Sequence, residues 1–309
     1  MIIHSFTYQA TLTDALKINW RVEDLIGGDK PLDFTKPFLP DALAGISSIE
    51  SLNQREKLIL NHIRGNSYLH LFVLVEAFII PMVLQQVQRM GYDNIYATQA
   101  LLCFAEEESK HIHLFQRFAE EFESGFGSAC ACIGPTQDIA NQILGYSPLA
   151  VLLLTLQFEW TTQSHYLESI RDQDAKELDP QFCSLLKHHW MEEAQHTKLD
   201  TLLVGELASQ LDAEVIEAGI TDYLSIVEIL DRGLMSQVQL DLASLSKAIR
   251  RKLTRSEQQE IQTLQEQSYR WVFICAGMTH PHFTKVLQQL SPSGYERVRE
   301  RAKAFSFMQ

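Results

Sequence analysis

The chain has 309 residues, of which 46% are apolar and 21% are charged, and its formal net charge is −13. This composition fits one large globular domain or two small ones. The negative charge is spread along the chain, and no run of lysines and arginines is long enough to neutralise a series of phosphates. The sequence therefore predicts no nucleic-acid partner.

Targeting and membrane signals are weak. The N-terminal segment MIIHSFTYQA has no basic stretch followed by an apolar one, as a secretory signal would have. The most apolar stretches, LFVLVEAFIIPMVL and PLAVLLLTLQF, are shorter than a bilayer span, and the first contains Glu76. We therefore expect a cytoplasmic protein with no membrane partner.

The cysteines fit the same compartment. They are odd in number and lack the spacing of a disulfide framework, as expected under reducing conditions: Cys103, Cys130, Cys132, Cys183 and Cys275. Cys130 and Cys132 could share a metal ion, but a single Cys-x-Cys pair more often consists of ordinary thiols.

Apolar residues recur at helical spacing along most of the chain, which predicts an all-α protein. Residues 1–48 contain several prolines and a GGD turn, and we expect them to form an arm wrapped on the core. A first helix is predicted from Ile49 to Met90, followed by Gly91 at the position of a C-terminal cap. The pattern leaves open a break near Gly65.

Three further helices have recognisable ends. The second is predicted from about Asp93 to the glycines at 125 and 127. The pairs Ser147-Pro148 and Asp179-Pro180 each place a capping side chain before a proline, which marks the start of the third and fourth helices.

Residues 211–309 also look helical, and no linker-like change of composition precedes them. We therefore predict a single domain over residues 1–309, made of the arm (1–48), a helical bundle (49–210) and C-terminal helices (211–309).

Each of the four bundle helices carries a glutamate inside an apolar stripe. The first and third offer one glutamate each, and the second and fourth offer a Glu-x-x-His pair. Residues three apart share a face of a helix, so each pair projects to one side. The six residues are Glu76, Glu108, His111, Glu159, Glu193 and His196.

Four carboxylates in one core require neutralisation, because a buried and unpaired carboxylate costs several kcal/mol or takes up a proton. Two divalent cations would balance the four negative charges. A glutamate from each of two helices and Glu-x-x-His from each of the other two is the pattern of the dimetal site in ferritin-like bundles. One such motif would be typical of a solvated helix face; two copies in this order favour an all-α ferritin-like four-helix bundle with a dimetal core.

A third histidine lies on the fourth helix. His189 is four residues before Glu193, so its ring points to the same core face, either as a ligand or as a core histidine bonded to a backbone carbonyl. The segment HWMEEAQH, residues 189–196, reads His-x-x-x-Glu-x-x-His. In this it resembles the ferritin-like diiron N-oxygenases typified by p-aminobenzoate N-oxygenase.

The resemblance covers residues 60–205 through the order and spacing of the motifs. It implies that two iron ions are bound and that one of them has an extra imidazole. The implied ligands are Glu76, Glu108, His111, Glu159, His189, Glu193 and His196. No motif fixes residues that contact the substrate, and no catalytic residue beyond the metal ligands is predicted.

The resemblance also implies a function. We expect a non-haem diiron monooxygenase that uses O2 to N-oxygenate a small aromatic amine in a biosynthetic pathway. An electron donor, a reductase or a ferredoxin, and a homodimer are expected with it. The oxygen and nitrogen donor set suits iron or manganese better than a structural zinc ion, without choosing between the two.

Several alternatives stay open. A related diiron oxidase could act on C–H bonds as a hydroxylase or desaturase, and a ferritin-like ferroxidase or iron-storage protein uses a similar site. A ribonucleotide reductase radical subunit also has two Glu-x-x-His motifs, but it needs a radical tyrosine and has no need of His189. A helical interaction protein with a vestigial polar core is the non-enzymatic alternative.

Other polar residues are candidates for supporting roles. Glu107 and Glu192 directly precede ligand glutamates, and either could hold a ligand histidine by its distal N–H or simply face solvent. Asp200, one turn after His196, is another such candidate. We expect structural or peripheral roles for the remaining histidines that we considered, and a loop for the segment THPHF; these histidines are His70, His113, His188, His280 and His282.

Overall fold

The computed structural model describes residue 2 and residues 4–171 and 175–306. Within this part of the chain, the only β-structure is an isolated bridge between Gly27 and Lys30. In chain order the α-helices are α1 (Tyr8–Ala15), α2 (Asp41–Ala44), α3 (Gln54–Met90), α4 (Ile95–Phe126), α5 (Thr136–Leu144), α6 (Pro148–Ser169), α7 (Pro180–Ala208), α8 (Ala213–Ala248), α9 (Arg255–Arg270), α10 (Ala276–Thr279), α11 (Pro281–Leu290) and α12 (Pro292–Ser306). A π-helical turn, Trp271–Cys275, joins α9 to α10.

Four of these helices form the central bundle. Helix α3 lies along α4 and α6 lies along α7, while α4 also contacts α7 and α3 also contacts α6. Helix α8 covers α6 and α3, and the remaining C-terminal helices close over α6, α8 and α9. This arrangement confirms the all-α ferritin-like bundle predicted from the sequence.

Helix α3 continues without interruption through Gly65, near which the sequence pattern left a helix break open. Asn53 caps its first turn, and the Glu56 side chain bonds back to the Asn53 backbone in a capping box. Gly65 is retained for packing: a Cβ atom there would lie 2.9 Å from the Phe38 ring, which stacks on Phe182 with 4.4 Å between ring centroids. The glycine therefore marks a close contact rather than a helix end.

The other helix ends agree with their sequence signals to within a residue. Helices α6 and α7 begin at Pro148 and Pro180. The Asp179 carboxylate accepts hydrogen bonds from the backbone N–H groups of Phe182 and Asp33, both at 2.7 Å. The cap of α7 therefore also ties the N-terminal arm to the bundle.

Three details of the predicted helices were wrong. The first bundle helix begins at Gln54, after the Asn53 cap, and not at Ile49. The start of α4 is capped by Asn94 rather than Asp93. The apolar stretch around Glu76 belongs to a 37-residue helix, long and apolar enough to cross a membrane by length and composition. Most of its apolar window is buried inside the protein, which is typical of a core helix.

The packing around Gly65 gives a stability prediction. We expect Gly65→Ala to lower the free energy of unfolding by about 1 kcal/mol. Overpacking should destabilise the protein by roughly 1–3 kcal/mol, and the higher helix propensity of alanine should offset about 1 kcal/mol of this. Gly205→Ala in α7 is the control, since its Cβ would meet nothing closer than 3.7 Å. That change should stabilise the protein, and urea denaturation measures both; a stabilising Gly65→Ala would contradict the packing argument.

Candidate metal centre

The seven ligands implied by the sequence come together at the centre of the bundle. Helix α3 supplies one glutamate and α6 another, and α4 and α7 each supply a Glu-x-x-His pair. All seven side chains belong to residues with 2% exposure or less: Glu76, Glu108, His111, Glu159, His189, Glu193 and His196.

Two imidazoles each face three carboxylates. The Nδ1 atom of His111 lies 3.2 Å from Glu193 Oε1. The same atom lies 3.7 Å from Glu76 Oε2 and 3.7 Å from Glu108 Oε2. One half of the cluster therefore centres on His111.

The second half centres on His196 and has the same layout. Its Nδ1 atom lies 3.0 Å from Glu108 Oε1 and 3.4 Å from Glu193 Oε2. Glu159 Oε2 lies 3.7 Å away. Glu108 and Glu193 thus turn one oxygen to each half, the disposition of carboxylates that could bridge two metal ions.

His189 lies on the Glu76 side of the cluster. Its Nε2 atom is 2.9 Å from Glu193 Oε1 and 3.3 Å from Glu76 Oε1. Phe72 and Phe115 meet its ring edge to face, with centroids 5.3 and 5.0 Å away. A hydrogen bond to a backbone carbonyl, the structural alternative for this residue, is not formed by either ring nitrogen within the described chain.

Donor atoms close enough to share an ion fall into two groups. One comprises Glu76, His111, His189 and Glu193, and the other comprises Glu108, His111, Glu193 and His196. His111 and Glu193 occur in both, so the two groups are adjacent. Glu159 belongs to neither group and approaches the second one through His196.

Glu107 and Glu192 hold the two Glu-x-x-His histidines crosswise between α4 and α7. His111 of α4 donates from Nε2 to Glu192 of α7 at 2.9 Å. His196 of α7 donates from Nε2 to Glu107 of α4 at 3.0 Å. Each bond holds the Nε2 proton on the outer side of the ring and directs Nδ1 to the cluster, as outer carboxylates do at metal sites.

Asp200 lies apart from this arrangement. It is fully buried, and neither carboxylate oxygen has a hydrogen-bond partner in the described part of the chain. Burial raises its pKa well above the usual range of a carboxyl, because it disfavours the charged form. The structure therefore gives Glu107 rather than Asp200 the contact with the distal nitrogen of His196.

The cluster lacks the hydrogen bonds that buried polar groups normally make. Seven side chains have at least one buried donor or acceptor atom without a protein partner, and these atoms converge: Glu76, Glu108, His111, Glu159, His189, Glu193 and His196. Such groups are rare in proteins unless an ion satisfies them. The donor set therefore fits two divalent cations.

The charges of the imidazoles and carboxylates also indicate a cation site. Burial alone would lower the pKa of His111, but the carboxylates of Glu108, Glu192 and Glu193 outweigh it and raise this pKa to about 9. Burial alone would raise the pKa of Glu108, but the imidazoles of His196 and His111 lower it to about 2. Protons on the imidazoles thus offset the carboxylates, and a cation bound at Nδ1 would displace them.

The arm adds a contact that the sequence analysis missed. Trp20 stacks on His111 with 6.2 Å between ring centroids, and Lys110 lies 4.2 Å above the Trp20 ring. Lys110 also forms an ion pair with Glu192. The sequence shows only a tryptophan in a proline-rich arm. It could not predict this contact, because the contact depends on how the arm folds back onto the bundle.

The other histidines and the cysteines lie outside the cluster. His70 bonds to the Asn66 carbonyl and His188 to the Ser184 carbonyl. The segment THPHF was predicted as a loop, but His280 caps α11, which begins at Pro281, and His280 and His282 both stack on Trp160. The five cysteines are free thiols.

Neither a protein-family model nor a curated protein matches the sequence. Among solved structures, it is similar to variants of an R2-like ligand-binding oxidase with a reconstituted Mn/Fe cofactor. One variant matches with a TM-score of 0.47 and 13% sequence identity, and a second with a TM-score of 0.48 and 12% identity. Each match covers 87% of this chain and 93% of the oxidase chain. Similarity at this level carries no conclusion about metal, substrate or reaction.

Metal content is the first prediction from this geometry. We expect about two iron or manganese ions per chain, and chelation should lower the Tm because metal binds the folded state. Glu193→Ala removes the carboxylate shared by both donor groups, so metal should be lost while circular dichroism retains most of the helix signal.

Exposed Glu168→Ala in α6 is the matched control and should keep its metal. Elemental analysis distinguishes the outcomes. A vestigial polar core predicts instead that the wild-type protein binds no metal and that Glu193→Ala stabilises it, since a buried charge is removed.

The crosswise bonds give a second prediction. Glu192→Ala should weaken metal binding by about 10–100-fold, because His111 loses the acceptor that orients it. Competition with a chromophoric chelator measures the affinity. Glu106→Ala, at an exposed position of α4, should leave it unchanged; equal effects of the two substitutions would show that overall charge, not orientation, controls affinity.

Proposed function

We propose that the protein is an oxygen-activating dimetal oxidoreductase, and that it N-oxygenates a small, neutral aromatic amine. One feature of the cluster supports the dimetal centre: two imidazole Nδ1 atoms each face three carboxylates, and two of those carboxylates are common to both. A closed structural zinc site would use four ligands around one ion, whereas this donor set serves two.

Oxygen and nitrogen donors of this kind suit iron or manganese. Two such ions, when bound, supply the redox chemistry that activates O2. Each turnover of a monooxygenase needs two electrons from outside, so an electron donor belongs to the proposal. The homodimer expected from the sequence stays a prediction.

The surrounding side chains keep the cluster ordered and dry. Glu107 and Glu192 hold the two histidines from opposite helices, and Lys110 balances one of these acids. Phe72 and Phe115 cover the His189 ring. Apolar walls exclude water, which strengthens the interaction of the carboxylates with any bound cation.

An apolar cavity of about 170 Å³ lies between α3, α5, α6, α8 and the π-helical turn. Two of its wall residues, Val75 and Phe158, directly precede Glu76 and Glu159 in the chain. Another, Phe273, contacts Phe72, which in turn meets the His189 ring. The rings of Phe273 and Phe72 therefore lie between the cavity and His189. A cavity near 150 Å³ accommodates one benzene ring.

The polarity of this cavity favours a neutral substrate. Within the described chain, its lining is apolar except for Gln142, and no charged side chain contributes to it. An alkylamine is protonated near pH 7, and burying an unpaired ammonium group is costly. An arylamine keeps its nitrogen lone pair under these conditions, which is the pair that N-oxygenation uses. A carboxylate on the ring would find no partner in the cavity.

Oxidation of a C–H bond is the second candidate, because a wholly apolar substrate would fit the same walls. The two reactions differ in their substrates and products, so one series of ligands separates them.

The test begins with anaerobic protein titrated with Fe(II) and mixed rapidly with O2. We expect a transient visible absorption that saturates at about two iron ions per chain. Aniline should speed its decay and yield a product that carries oxygen from ¹⁸O2 on nitrogen. Benzylamine and p-aminobenzoate, which carry a charge, should be poorer.

Iron that oxidises without a transient and accumulates beyond two ions per chain would contradict the oxygenase and favour iron storage. Faster decay with an alkylbenzene and oxygen found only on carbon would favour the hydroxylase.

A further inference from the structure

A buried tyrosine and a buried histidine form a hydrogen-bonded pair close to the metal cluster. Tyr68 lies on α3, two turns before Glu76, and is 2% exposed. Its hydroxyl lies 2.9 Å from Nδ1 of His165, which is on α6 and is 3% exposed. The pair therefore bridges the two helices that supply the single glutamates.

The other nitrogen of His165 decides the direction of this hydrogen bond. Nε2 lies 3.0 Å from the carbonyl oxygen of Val272, which can only accept, so Nε2 carries the proton. Nδ1 is then an acceptor, and the Tyr68 hydroxyl donates to it. Val272 lies in the π-helical turn, a form that occurs often at functional sites.

Both groups are neutral at rest. Burial lowers the pKa of His165 to about 4, so the imidazole is unprotonated near pH 7. Burial, and then the negative charge of Glu193, raise the pKa of Tyr68 well above its usual value, so the phenol keeps its proton. The pair therefore consists of a phenol and an unprotonated base that faces its hydroxyl.

Aromatic side chains connect this pair to the cluster. The Tyr68 ring lies 4.6 Å from the Phe72 ring, measured between centroids. Phe72 in turn meets His189 at 5.3 Å. Only one side chain thus separates Tyr68 from an implied metal ligand.

We propose that Tyr68 is a redox-active residue that gives one electron to the dimetal centre once O2 has oxidised that centre. The phenolic proton moves at the same time to Nδ1 of His165. Tyr68 becomes a neutral radical, His165 becomes an imidazolium, and the metal centre is reduced by one electron. This inference rests on the proposed function, because the centre and O2 supply the oxidant.

Three tyrosines are 2% exposed or less, and the surroundings of the other two explain why Tyr68 is singled out among them. Tyr223 donates to the Gln157 side-chain oxygen, and an amide is too weak a base to take the proton. Tyr269 donates to the Asp241 carboxylate, but the Arg64 guanidinium lies 3.4 Å from its ring centre. That cation opposes removal of an electron from the ring.

The test uses full-length protein loaded with Fe(II) and exposed to O2 without substrate. Metal content and O2 uptake are measured first, and samples frozen at successive times are examined by electron paramagnetic resonance. We expect an organic-radical signal whose hyperfine pattern changes when the tyrosines are ring-deuterated. Tyr68→Phe should abolish the signal, whereas Tyr223→Phe, the buried control, should retain it.

His165→Gln tests the base separately, because the amide can accept the hydrogen bond but cannot take up the proton. The radical should be lost in this variant while metal content and O2 uptake persist. ¹⁵N NMR of His165 in metal-free protein gives a readout independent of turnover: the Nδ1 resonance should be that of a hydrogen-bond acceptor and should shift in Tyr68→Phe. Thermal unfolding checks that the variants are folded.

The possible failures are distinct. Protein that binds two metal ions and consumes O2 without forming a radical overturns this inference alone, as does a radical that survives Tyr68→Phe. Protein that binds no metal or consumes no O2 overturns both this inference and the proposed function.

Discussion

Four carboxylates that meet in the middle of an apolar bundle are the constraint on which the rest of the structure depends. Glu76, Glu108, Glu159 and Glu193 are each 2% exposed or less, and each has at least one oxygen without a protein partner. In a soluble helical bundle such positions would ordinarily hold leucine or phenylalanine. A buried acid there either takes up a proton or is neutralised by positive charge held between the helices, from protonated imidazoles or metal ions.

The bundle meets this constraint with bonds that cross from one helix to another. The Glu107–His196 and Glu192–His111 hydrogen bonds join α4 to α7 twice. They also keep both Nδ1 atoms directed inward, so the same contacts that connect the helices define the site. His189 differs, because its Nδ1 atom has no acceptor among the described residues; its ring is positioned by Phe72 and Phe115 instead.

Segments outside the four helices determine what surrounds the cluster. The N-terminal arm places Trp20 against His111. Helix α8 and the π-helical turn close the apolar cavity beside α3 and α6, and the same turn supplies the carbonyl that sets the tautomer of His165. The bundle therefore accounts for metal binding, while the arm and the C-terminal helices control the environment in which a substrate or a tyrosine would react.

The helices, their order and the residue types at the centre could be predicted from the amino-acid sequence. Helical periodicity, capping pairs such as Asp179-Pro180 and the repeated Glu-x-x-His spacing are local features, and a helix converts them directly into shared faces. Three contacts could be seen only in the folded protein. Glu107 bonds to His196 rather than to a histidine of its own helix, Trp20 stacks on His111, and Tyr68 bonds to His165. These contacts join residues 89 to 97 positions apart, or an arm to a distant helix. Since they depend on how helices are rotated and packed against one another, no local pattern in the chain encodes them.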